Sequence, residues 1–114
     1  MDIISEGTRI TGHVFVSKSA ASGAILPTIV MAHGWGGHQA LLFRDAAEFA
    51  QAGYFVLTFD YRGWGESDSR VILTQTAKSH TATKFEAEVQ AIRQVVNAED
   101  MATDWLNVMH WVQG

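Results

Sequence analysis

The residues TIVMAHGWGG at 28–37 and GYFVLTFDYRGWGESD at 53–68 decide the reading of this chain. Ile29 to Ala32 form an apolar run without alternation, as expected of a parallel strand covered on both faces. His33 to Gly37 then form a glycine-rich turn. Beyond it Leu42, Ala46, Phe49 and Ala50 recur at helical spacing, while Arg44, Asp45, Glu48 and Gln51 take the other side. Gly53 falls where a left-handed helix stop belongs. Tyr54 to Phe59 is a second continuous β-favouring run, and Asp60 to Gly65 opens a second glycine-rich turn. Strand, helix and strand in this spacing make a right-handed βαβ unit, and ligands of open α/β sheets gather beyond the carboxyl ends of the strands. Any chemistry of the chain is therefore expected at the two glycine turns.

Working outward, Ile3-Ile4 and Arg9 to Val16 read as two strands about a Ser5-Glu6-Gly7-Thr8 turn. In the second of them Ile10, Gly12, Val14 and Val16 share one face. Ser17 to Pro27 is a small, polar surface connection. Glu66 to Lys84 is a polar, Ser/Thr-rich excursion broken by Val71 to Leu73; a lid, a disordered loop and a short strand are all open readings. Phe85, Val89, Ile92 and Val96 keep helical spacing and predict a helix. The last segment predicts another, capped by Asn97, with Ala98, Met101, Ala102, Trp105, Leu106, Val108, Met109 and Val112 in one broad stripe. Asp100, Thr103, Asp104, Asn107 and His110 are expected opposite or flanking it. The fold class is α/β: a mostly parallel sheet of about four strands with an antiparallel N-terminal hairpin, and helices after the third and fourth strands.

Composition narrows the function. The 114 residues are 47% hydrophobic and 18% charged, enough for one domain with a real core. Twelve acidic against 8 basic side chains give a net charge of −4, which argues against a nucleic-acid partner. The absence of cysteine removes disulfides, cysteine-type zinc sites and a thiol nucleophile. No basic signal region opens the chain and no apolar run reaches membrane-spanning length, so a cytoplasmic location and no membrane partner are expected. His13, His38, His80 and His110 show no metal-ligand spacing, and neither metal nor cofactor is expected.

Taken as residues alone, the His33 to Gly37 turn has two readings. Its backbone N–H groups can serve a developing oxyanion, or it is a tight strand-to-helix turn without chemistry. It is not G-x-G-x-x-G, which argues against a dinucleotide. Asp60, two residues before Arg62, is either a catalytic acid or a structural brace of its loop, and the brace is favoured. Trp35 and Trp64 are candidates to line a pocket between the loops, and His38 is a candidate to touch substrate.

Together these stretches resemble the amino-terminal half of an α/β-hydrolase, with the flavour of its dienelactone-hydrolase, acetylxylan-esterase and Xaa-Pro dipeptidyl-peptidase-like branches. The resemblance runs from residue 3 to residue 113. It implies a serine hydrolase of ester or amide bonds in which the turn after the third strand supplies the oxyanion hole. On that basis the backbone N–H of Trp35 is the donor, with Gly36 assisting. His33 and Gly34 shape the turn, His33 is not the catalytic histidine, and Asp60, Arg62, Gly63 and Gly65 form a structural loop. One departure is large: the family's G-x-S-x-G nucleophile elbow does not occur in the chain. Gly65-Glu66-Ser67-Asp68-Ser69 imitates it in the wrong setting, so Ser67 is not expected to be a nucleophile. Residues 1–114 thus read as the N-terminal portion of a single hydrolase domain, inactive alone, acting on a small-molecule substrate. The rival reading is a complete, non-catalytic interaction module that pairs through an exposed sheet edge.

Overall fold

Glu6 and Gly7, both at positive φ (48° and 78°), form the two-residue turn that joins β1 (Asp2–Ser5) to β2 (Thr8–Phe15). Positive φ at both central positions gives the turn the twist of an antiparallel hairpin, and Ser5 accordingly faces Thr8 across it. The computed structural model describes residues 1–21, 23–34, 36–76, 79–81 and 83–114, with the backbone alone at 79–80.

Chain order and sheet order differ. The main sheet runs β1-β2-β4-β3, with β4 (Phe55–Phe59) antiparallel to β2 and parallel to β3 (Thr28–Ala32). A 3₁₀ turn (Gln39–Leu42) and helix α1 (Phe43–Gln51) make the crossover between β3 and β4, ending at Gly53 with φ 106°. Ala46 and Ala50 of α1 pack on Val56, with Phe15, Ile29, Met31 and Tyr54 around them. The opposite face of the sheet meets helix α2 (Ala98–Gln113), whose Val108 joins Ile3, Ile10, Leu57 and Phe59, flanked by Met101, Trp105 and Val112. Sheet and helices make three layers. Val56 to Phe59 are fully buried because successive side chains of β4 face a helix on either side, which is why that run does not alternate.

Asn97 caps α2 as its sequence predicts, its Oδ1 accepting from the N–H groups of Glu99 (3.0 Å) and Asp100 (3.1 Å). Two details of the helix differ. Leu106, within the expected stripe, stays substantially exposed, and Asp104, expected on the polar side, is completely buried.

The segment after the second glycine turn departs most from expectation. Residues 85–96 form no helix. β5 (Arg70–Leu73) pairs antiparallel with β8 (Val89–Ile92), and β6 (Ser79–His80) pairs with β7 (Phe85–Glu86), giving a two-stranded arm beside the main sheet. The spacing of Phe85, Val89, Ile92 and Val96 satisfies a helix. Pairing with Arg70 to Leu73 places Val89 and Ile92 in a ladder instead, and tertiary context overrides a short periodicity. Among the described residues, no helix is long and apolar enough to cross a membrane.

Candidate functional site

β3 and β4 are in parallel register, Ala32 opposite Phe59, so His33 and Asp60 leave the sheet side by side. His33 is buried. The Tyr61 N–H points at its Nε2 (3.4 Å), which makes Nε2 the acceptor; Nδ1 therefore carries the proton and donates to the Gly34 carbonyl (2.9 Å). The same carbonyl accepts the Gly37 N–H at 3.1 Å, which closes the turn. The ring packs edge-on against Tyr61, with centroids 4.9 Å apart. His33 thus clasps the first loop through its ring nitrogens and its packing on Tyr61. Gly36 sits on the exposed side of the turn at φ 78°. Trp35, the expected oxyanion donor, lies outside the described residues.

Asp60 braces the second loop. Its carboxylate is fully buried and accepts the backbone N–H groups of Gln39 (2.7 Å) and Glu66 (3.0 Å) and the Gln39 side-chain amide (2.9 Å). One carboxylate therefore holds the end of the first loop and the far side of the second. Its Oδ1 lies 3.7 Å from His33 Nε2, beyond hydrogen-bond distance. Gly65 packs directly over it, at φ 52°, and a Cβ there would collide with the Asp60 carboxyl group.

Arg62 does not pair with Asp60. Its Nε and Nη2 donate to Asp104 Oδ1 (2.9 and 2.7 Å), and its backbone N–H donates to Asp104 Oδ2 (2.9 Å). Ser5 Oγ donates to the same Oδ1 (2.8 Å) and accepts from Arg62 Nη2 and Asn107 Nδ2. Burial opposes the charge on Arg62, but the hydrogen bonds and charge of Asp104 outweigh it and hold the guanidinium protonated above its ordinary range. This cluster ties the second loop to β1 and α2. Asp104 could have been found in the sequence: it lies three residues after Met101 and four before Val108, within the buried stripe, but its polarity placed it outside.

Ser67 is similarly committed to structure. Its Oγ donates to the Asp60 carbonyl (2.6 Å) and accepts the Thr11 N–H (2.9 Å), and the residue is buried. No base activates it among these contacts. Trp64 is buried in the core against His33, with centroids 6.2 Å apart, so it is packing and not a pocket wall. His38 is exposed at the start of the 3₁₀ turn. Arg93 closes the second loop from the arm, donating to the carbonyls of Gly65 (2.9 Å) and Ser67 (3.0 Å). Among the described residues, no group of three His, Asp or Glu side chains is placed to hold a metal ion.

Gln39 is the residue that sequence reading missed altogether. It is 1% exposed, and both its amide and its backbone N–H face Asp60. A polar residue between a glycine turn and a helix carries no periodic signal, so only the structure reveals its burial.

Comparison with known proteins agrees with this architecture. A family model described as serine aminopeptidase, S33, matches residues 23–111. Two curated proteins of Escherichia coli, each called an uncharacterized 31.7 kDa protein in the traX-finO intergenic region, are 49% identical over 43 residues, covering 37% of this chain. That match spans only 15% of their length. An esterase from Exiguobacterium antarcticum superposes with TM-score 0.64 at 21% identity, over 98% of this chain and 31% of that one. The enol-lactonase from Burkholderia xenovorans gives TM-score 0.63 at 16% identity, over 99% and 33%. At these identities the two structures speak to fold alone.

Proposed function

The chain belongs to the hydrolase family described as serine aminopeptidase, S33, and on that premise we propose that it forms the N-terminal part of a serine hydrolase of ester or amide bonds. In this reading residues 1–114 provide half of the sheet and one wall of the site. The backbone N–H of Trp35, assisted by Gly36, receives the oxyanion, and nucleophile, base and acid come from outside these residues. The supporting observation is the pair of loops at the adjacent carboxyl ends of β3 and β4, joined through the buried Asp60 carboxylate.

The chemistry follows from what the loop offers. Attack of a serine hydroxyl on a carbonyl moves an electron pair onto the carbonyl oxygen, and fixed N–H dipoles stabilise that charge without reorganising. Collapse of the tetrahedral intermediate expels the alcohol or amine and leaves an acyl-enzyme, which water then cleaves at the same site. A loop that stabilises the oxyanion without a nucleophile has nothing to act on, so the chain by itself is silent. The substrate is a small ester or amide, no cofactor enters the scheme, and a cytoplasmic location is part of the proposal.

A second reading has one observation in its favour. Within the described sheet β3 is an edge strand with β4 as its neighbour, and a groove of about 520 Å³ lined by Thr28, Val30, Trp105, Met109, Val112 and Gln113 runs beside it. An open edge next to apolar surface pairs with another strand, as an interaction module would use it. The coding sequence beyond Gly114 separates the two. A β-run leading into G-x-S-x-G within about twenty residues supports the hydrolase; a stop codon, with a folded monomer of 1–114, supports the module.

A further inference from the structure

Gln39 has no part in the resemblance to hydrolases, yet every polar atom of its side chain has a partner. Its Nε2 donates to Asp60 Oδ2 (2.9 Å) and to the Thr11 carbonyl (3.1 Å). Its Oε1 accepts from Thr58 Oγ1 (2.8 Å) and lies 2.9 Å from His13 Nδ1. Both amide hydrogens and both oxygen lone pairs are thereby used, in a residue that is 1% exposed. Its backbone N–H donates to Asp60 Oδ1 at 2.7 Å. We propose that Gln39 is the positioning residue of the His33 to Gly37 turn, fixing its carboxyl end against Asp60 while His33 fixes its amino end.

The geometry carries this in three steps. The turn leaves the sheet at Ala32 and rejoins regular structure at Gln39, so these two points anchor its two ends. The first is held by pairing with β4 and by His33; the second is held by five contacts of Gln39 that reach β2, β4 and Asp60. Apolar side chains at position 39 would leave the Asp60 carboxylate, Thr58 and the Thr11 carbonyl each short of a partner in the interior. The carboxyl end of the turn would then be free to shift. Displacement of a catalytic group by about 1 Å costs about a hundredfold in rate, so Gln39 acts on catalysis through the backbone and never touches substrate.

The catalytic half of this inference rests on the hydrolase reading; the placement of the turn does not. The test uses Gln39→Ala and Gln39→Glu. On the 114-residue chain, amide hydrogen exchange is followed by NMR. On the product that extends through the nucleophile, kcat and KM are measured with p-nitrophenyl acetate. In Gln39→Ala, exchange at the hydrogen-bonded amides of Gly37 and position 39 rises at least about tenfold relative to Val56 to Thr58, and kcat falls about a hundredfold with KM little changed. Gln39→Glu sets a carboxyl against Asp60, in a pocket that also contains His13 and, 3.7 Å from Asp60, His33. Protonated, the new carboxyl restores a donor to Asp60; ionised, it repels it. Turn exchange and kcat, each as a ratio to the unmutated protein, therefore approach unity as pH falls and diverge as it rises. Exchange that rises equally in the turn and in β4, or a Glu variant whose ratio ignores pH, overturns the proposal. If Gln39→Ala does not fold, the Glu variant at low pH carries the test alone. If the turn loosens as expected but the unmutated extended product has no esterase activity, the placement stands and the hydrolase reading fails.

Discussion

Replacement of Gly65 by alanine tests the weld between the two loops. Gly65 adopts φ 52°, and a Cβ at this position would overlap Cγ, Oδ1 and Oδ2 of Asp60, far inside the 3.0 Å that real Cβ atoms keep. The left-handed backbone alone costs an L-residue about 1–2 kcal/mol. The carboxylate can yield only by surrendering bonds to Gln39 or Glu66, and loss of one hydrogen bond to a buried charged group costs about 1.5–3 kcal/mol. Together these predict a loss of about 2.5–5 kcal/mol, a large share of the roughly 5–15 kcal/mol that holds a domain. Gly7→Ala is the control: φ is 78° there and nothing lies within 4 Å of the added Cβ, so it meets the backbone cost without the collision. Urea unfolding followed by tryptophan fluorescence reads both. The Gly65 variant should lose about 2 M in midpoint at unchanged slope, and the Gly7 variant less than half of that. Equal losses in the two variants would refute the collision and with it the Asp60 brace.

Removal of Asp104 leaves the Arg62 guanidinium buried without its main partner, so Asp104→Ala should cost about 3–5 kcal/mol in the same unfolding experiment, and Asp104→Asn less. Ser67→Ala should cost about 1–3 kcal/mol and leave ester turnover of the extended product unchanged; abolished turnover would restore Ser67 as a nucleophile. The hydrogen bond from Arg9 holds the Asp68 carboxyl below its usual range; burial opposes it, and the charges of Arg9 and Arg93 add to the lowering. The folded state therefore favours the ionised form, and this stability is present above the unfolded carboxyl pKa and lost as pH falls through the lower folded one. Asp68→Asn should flatten that part of the pH–stability curve, and because the pair is about half exposed, salt should shrink the effect.

Much of this fold is legible from local patterns. Ile29 to Ala32 and Tyr54 to Phe59 announce strands covered on both faces, Glu6-Gly7 announces a hairpin, and Asn97 announces a helix start, because backbone conformation and burial act there within a few residues. Asp60 and Ser67, expected as structural residues, are buried and hydrogen-bonded to backbone groups of neighbouring segments. The arm departs from the expected helix because Val89 and Ile92 satisfy a helical spacing and a β-ladder equally well, and only pairing with Arg70 to Leu73 decides between them. Asp104 and Gln39 were misplaced or missed because polarity normally marks exposure. Their burial depends on partners far away in sequence, Arg62 and Asp60, whose positions no periodicity reveals. Arg62, two residues after Asp60, pairs across the molecule with Asp104, a partner 42 residues away.

The central claim is that this chain supplies the oxyanion wall of a serine hydrolase and that its nucleophile lies outside residues 1–114. Intact-mass measurement after treatment with a fluorophosphonate tests it most directly, on the 114-residue chain and on the product that extends beyond Gly114. The account predicts an unmodified chain, and a single adduct on the extended product, mapped by peptide sequencing to a serine after Gly114. An adduct on the chain itself, at Ser67 or elsewhere, or an extended product that takes no label, would contradict it.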